Sequence, residues 1–69
     1  MQIVFNGRAV EASASTVSAL LAEMGLGEER LAVERNRVLV PRRLWAETLL
    51  APGDAIEVVQ MVGGGAAAG

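Results

Sequence analysis

Val17, Leu20, Leu21 and Met24 fall at i, i+3, i+4 and i+7, the spacing of an apolar stripe along one helix face. The helix they predict follows a loop of Ser13, Ala14, Ser15 and Thr16. Ser15 is the expected N-cap, its hydroxyl accepting an orphan backbone N–H of the first turn. Gly25 supplies a left-handed exit. A helix of about ten residues does not hold itself together in water, so the stripe must be laid on another element. The rest of the chain has to build that element, and 69 residues leave room for one small domain.

The flanking segments read as strands. Residues 2–5 alternate, with Met1, Ile3 and Phe5 on one face. Asn6-Gly7 is a hairpin signal, because a type I′ turn needs φ > 0 at both central residues. Residues 8–12 return as a second strand with Val10 inward. Residues 31–34 form a third strand, Asn36-Arg37 a turn, and residues 38–40 a short fourth strand that Pro41 ends, since proline cannot donate to a ladder. Residues 42–47 make one helical turn that points Leu44 and Trp45 inward. Pro52, Gly53 and Asp54 form a further turn, and residues 55–62 are the last and longest strand.

One helix stripe on one sheet face is a two-layer α+β design. A helix between the first hairpin and the later strands predicts a β-grasp arrangement, ubiquitin-like, with a five-stranded mixed sheet. In it the first and last strands lie side by side and parallel in the middle. The expected core is Ile3, Phe5, Val10, Val17, Leu20, Leu21, Met24, Leu31, Val33, Leu39, Trp45, Ile56 and Val58. A chain this short buries only about 60% of its unfolded surface, so that core has little to spare.

The chemistry open to the side chains is narrow. The chain has no Cys, His, Lys or Tyr, and all six of its positive charges are Arg. A disulfide, a zinc cluster and a Schiff base are thereby excluded. No Ser has a base to activate it. Glu28 and Glu29 read as a solvated charge cluster rather than an acid–base pair. Glu34, Glu57 and Asp54 read as strand-face charges and a turn residue rather than a divalent-ion site. No phosphate-cradling glycine loop is present, so no cofactor is expected on this chain. A net charge of −2 argues against nucleic acid as a partner. No apolar run of about 18 residues exists to span a membrane, and residues 1–6 lack the pattern of a signal peptide. The expectation is a cytoplasmic, monomeric protein that is not an enzyme.

One reactive group remains: a main-chain carboxylate. The last strand feeds into Val62, Gly63, Gly64 and Gly65, followed by three alanines and Gly69. Glycine lacks a Cβ and adopts nearly any φ/ψ. Three extended glycines reach roughly 10 Å beyond a strand end, so such an arm can enter a channel closed to branched side chains. The plainer reading of the same residues is a frayed terminus.

Residues 1–65 resemble the ThiS family, the sulfur carriers of thiamine thiazole biosynthesis. The likeness rests on residues 1–7 (Met-Gln-Ile-Val-Phe-Asn-Gly), on Thr16-Val17 with Leu20-Leu21, and on Asn36. It continues in Val40-Pro41-Arg42 with Trp45, Gly53-Asp54 before Ile56, and the end at Val62 to Gly65. The resemblance implies that a ThiF-like adenylyltransferase uses ATP to adenylate the carboxylate of Gly65, next to Gly64. A sulfur donor then displaces AMP to leave a thiocarboxylate, and a ThiG-like thiazole synthase takes the sulfur. Related carriers that feed molybdopterin, cysteine or methionine synthesis, and ubiquitin-like interaction modules without sulfur chemistry, share much of this pattern.

Family members that work directly end at Gly-Gly, whereas this sequence continues through residues 66–69. Those four residues read as a precursor tail for a processing protease, or as an expression-vector remnant. Gly63 and Val62 form the arm. On the open sheet face, period two places Val59 and Met61 opposite Ile56 and Val58, with Val4 joining them from the first strand. This patch is the expected docking surface for the activating partner. Arg35, Arg37, Arg42 and Arg43 cluster in sequence and read either as a solvated rim or as partners for acidic groups on another protein.

Overall fold

A computed structural model describes residues 1–27 and 29–61. The readings placed on Glu28 and on residues 62–69, the arm among them, lie outside the described residues. The elements run β1 (Gln2–Phe5), β2 (Arg8–Glu11), α1 (Val17–Glu23), β3 (Leu31–Arg35), β4 (Val38–Leu39), a 3-10 turn (Arg42–Leu44) and β5 (Ala55–Gln60). The five strands form one sheet in the order β2-β1-β5-β3-β4. β1 and β5 pair in parallel, and the other pairs are antiparallel. This is the expected β-grasp, with its first and last strands adjacent in the middle.

Local chemistry explains most boundaries. Asn6 and Gly7 both take positive φ, 49° and 85°, which closes the β1–β2 hairpin as a two-residue turn. Asn36 and Arg37 do the same between β3 and β4, at 53° and 71°. The helix is capped by Thr16 and not by Ser15. Thr16 is extended, and its Oγ1 accepts from the Ala19 N–H at 3.1 Å. Both hydroxyls suit a cap, and the register is decided elsewhere. Thr16 bridges to Leu49, and the Leu50 N–H donates to the Ser15 carbonyl at 2.9 Å, so the 15–16 backbone is held extended. At the other end Gly25 takes φ 77°. Leu26 N–H donates to Leu21 O and Gly25 N–H to Ala22 O, the paired bonds of a Schellman ending.

The helix lies on one face of the sheet. Ile3, Val17, Leu20, Leu21, Val33 and Ile56 are fully buried between the layers. Phe5, Val10 and Val58 pack at the margin of that core. Two expected core residues are exposed. Met24 is the helix C-cap, at the end of the stripe. Leu39 pairs with Glu34, and residues directly opposite share a face, so Leu39 points to the open side. Val40 goes inward instead, its N–H donating to Val33 O at 2.8 Å. Three consecutive apolar residues at 38–40 carry no phase of their own, and Glu34 imposes one. Ala12, Ala14 and Leu50 are also buried. Trp45 is buried as expected, its Nε1–H donating to Val40 O at 2.8 Å.

Candidate functional site

The site is organised on β5, the central strand of the sheet. Its start is fixed by Asp54, which is almost fully buried. One carboxylate oxygen accepts from Arg35 Nε at 2.7 Å and from the Ala51 N–H at 2.8 Å. The other accepts from Asn36 Nδ2 at 3.0 Å. Burial pushes this carboxyl up. The hydrogen bonds from Asn36, Arg35 and Ala51, with the Arg35 charge, outweigh it, so its pKa lies below the usual carboxylate value. Asn36 also accepts from the Ala55 N–H through Oδ1 at 2.9 Å and donates its own N–H to Ala55 O at 2.7 Å. The β3–β4 turn is thus bolted to the first residue of β5.

Midway along β5 the support changes. β1 pairs only with Ala55 and Ile56. Asn6 then turns away into the hairpin, but its amide stays behind: Oδ1 accepts from the Val58 N–H at 2.8 Å and Nδ2 donates to Val58 O at 3.3 Å. Sequence reasoning saw Asn6 only as a turn residue. Nothing in an Asn-Gly pair tells which strand its side chain will meet 52 residues later. The Asp54 cluster was likewise missed, because Pro-Gly-Asp marks a turn whatever the aspartate bonds to.

The predicted docking residues fall on the open face, but not all together. Val59 and Met61 are neighbours on the same side of β5, 59% and 47% exposed. Val4 pairs beside Ala55, so Val59 lies four residues further on, about 13 Å along the strand. Glu57 stands between them, directly opposite Glu34 on β3. The patch is therefore split by two like charges, which repel across a strand pair. Arg35 is spent on Asp54, and Arg42 stacks over Trp45 at 5.7 Å. Gly65, Gly64, Gly63 and Val62 lie outside the described residues.

Thr16 caps the helix, and Thr48 Oγ1 donates to Leu44 O. Among the described residues no group of three or more acidic, His or Cys side chains could hold a metal, and no helix is long and apolar enough to cross a membrane.

Comparison with known proteins identifies the family and supports the fold. The ThiS family matches residues 3–65. The sulfur carrier protein ThiS of Escherichia coli is 36% identical over 66 residues, covering 94% of this chain and all of that protein. A thiazole synthase of Paramagnetospirillum magneticum is 44% identical over 66 residues. There the match covers 94% of this chain but only 20% of the relative, so the chain spans about a fifth of the length of that protein. The crystal structure of a thiamine biosynthesis protein (ThiS) from Geobacter metallireducens superposes with a TM-score of 0.81 at 26% identity, covering 93% of this chain and 99% of the other. On both the sequence match and the shared fold, this chain belongs to the ThiS family.

Proposed function

We propose that this protein is a sulfur carrier for the thiamine thiazole ring, and that Gly65 carries the sulfur. The observation that carries the reading is the extent of the family match, which runs through the whole fold and ends on Gly65. A free carboxylate resists substitution. Adenylation by a ThiF-like partner, with ATP as its substrate and pyrophosphate as the product, makes the carbonyl carbon electrophilic. Hydrosulfide attacks that carbon, AMP leaves with the former carboxylate oxygen, and loss of a proton yields the thiocarboxylate. This chain binds no cofactor and performs no catalysis itself. Its part is to present Gly65 on the arm formed by Val62, Gly63 and Gly64.

A ThiG-like thiazole synthase is the acceptor in this scheme. Support comes from the thiazole synthases of Paramagnetospirillum magneticum and Magnetococcus marinus, each of which contains a stretch resembling this chain over a fifth of its length. Val59 and Met61 dock the activating partner, with Val4 as a separate outlying contact. In this scheme the carboxylate of Gly65 has to be free, which a processing protease cleaving after Gly65 provides if residues 66–69 belong to a precursor rather than to an expression-vector remnant. The protein works as a cytoplasmic monomer.

The test is intact mass. The chain ending at Gly65 is incubated with a ThiF-like enzyme, ATP and a sulfur source. A gain equal to replacement of one oxygen by sulfur, located in the C-terminal peptide, supports the carrier. An unchanged mass leaves a ubiquitin-like interaction module and overturns the proposal.

A further inference from the structure

β5 is clipped on both flanks by asparagines that sit in hairpin turns. Asn36, in the β3–β4 turn, accepts from the Ala55 N–H through Oδ1 at 2.9 Å. Asn6, in the β1–β2 turn, accepts from the Val58 N–H through Oδ1 at 2.8 Å. Both take left-handed backbone, at φ 53° and 49°. The Asn36 clip belongs to the buried Asp54 cluster. The Asn6 clip continues a ladder. Val4 N–H donates to Asp54 O and Asn6 N–H to Ile56 O, both at 2.9 Å, in the parallel pairing of β1 with β5. In such a ladder a residue that donates to one partner carbonyl accepts, through its own carbonyl, from the N–H two residues further along. One more step would have the Asn6 carbonyl accept from Val58. Asn6 instead turns off into the hairpin, and its side-chain amide takes over: Oδ1 accepts from the Val58 N–H, and Nδ2 donates to Val58 O at 3.3 Å. A side-chain amide carries the donor and acceptor of a peptide group, so it builds one rung after the strand itself has left.

The rung holds the peptide between Val58 and Val59 on its β1 side, while β3 holds the other side, with Val59 in register with Ala32. The core has little need of it. Ile56 is the one fully buried side chain of β5, and Val58 is only half-buried. What the rung orients is Val59, 59% exposed on the open sheet face. We infer that Asn6 is a positioning residue for docking: by fixing the 58–59 peptide it sets the angle at which Val59 meets the activating enzyme. The inference rests on the carrier reading above, with Val59 in its docking surface. Without the rung, β3 is the neighbour left to this stretch among the described residues. The orientation that docks is then populated less, and apparent affinity falls in the same proportion.

The test is kinetic. The chain ending at Gly65 is assayed with a ThiF-like enzyme, ATP and a sulfur source by pyrophosphate release, at a temperature where every variant is folded. Asn6→Gly keeps the positive φ and deletes the amide. Its KM is expected to rise up to about 5-fold, the most that one net hydrogen bond shifts a population, with kcat unchanged. A purely structural role leaves KM where it was. Asn6→Asp also tolerates the turn and keeps the acceptor, but it sets a second oxygen against Val58 O, so its KM rises as well; it carries the test if the glycine variant does not fold. Val59→Ala raises KM on its own. Asn6→Gly added to Val59→Ala raises it no further, because the angle of a deleted contact is immaterial. Wild-type KM in the Asn6 variants, or their full effect persisting on top of Val59→Ala, overturns the positioning role while the mass test still supports the carrier. Wild-type KM in Val59→Ala removes Val59 from the docking surface, and this inference with it. A wild-type chain that gains no sulfur removes the carrier reading itself.

Discussion

The two ends of β5 are built on opposite plans. At Asp54 and Ala55 every backbone group and a buried carboxylate are held by β1, β3, the Asn36 turn and the 51–54 turn. At Gln60 and Met61 the strand's neighbour among the described residues is on the β3 side, and both side chains are exposed. The sequence of β5 does not announce this gradient, because Ile56, Val58, Val59 and Met61 are all apolar. The difference lies in how far the neighbouring strands extend.

The comparison is broken most severely at the buried end. Ile56→Ala removes a side chain with no exposed surface and is expected to cost about 3 kcal/mol in urea unfolding. For a domain this small, that is much of the total stability. Asp54→Ala leaves the Ala51 N–H and the Asn36 and Arg35 donors without their acceptor, at a cost of about 2 kcal/mol. Acid titration examines the same group. Its folded pKa is depressed, so the stability it contributes is fully present above the unfolded carboxylate value and is lost as pH falls through the folded one. Asp54→Asn is expected to flatten that part of the acid unfolding curve.

At the middle of β5, Asn6→Gly keeps the positive φ of the turn but deletes the amide that holds Val58. A loss of about 1 kcal/mol is expected, with faster amide exchange confined to Val58 and its neighbours. The smallest effect on folding belongs to the open end. Met61→Glu is expected to change stability by less than about 0.5 kcal/mol, as exposed positions usually do. Binding to the activating partner, measured on the same preparation, is expected to weaken. Undiminished binding would remove Met61 from the docking surface.

Much of this was legible from the chain alone. The positive-φ hairpin at Asn6-Gly7, a turn at Asn36-Arg37, the Gly25 exit, the inward Trp45 and the helix stripe as far as Leu21 follow from local chemistry, and the structure shows them, whereas Met24 at the end of the stripe is exposed. What was not legible depends on partners distant in sequence. Leu39 and Val40 exchange places because Glu34 sets the face. Thr16 displaces Ser15 as the cap because Leu49 and Leu50 hold that backbone extended. Val4 and Val59 share a face yet stand apart, because β1 meets β5 at its start and not at its end.

By itself the sequence determined the order of elements, the single face on which the helix must lie, and a glycine arm on a chain without Cys, His or Lys. These are properties of periodicity, turn stereochemistry and the inventory of reactive groups, and none needs a neighbour from elsewhere in the chain. Register, the Asp54 cluster and the Asn6 rung were decided only by the tertiary structure. Each of these joins groups many residues apart, and hydrogen bonds of that kind exist only once the sheet has brought its strands together.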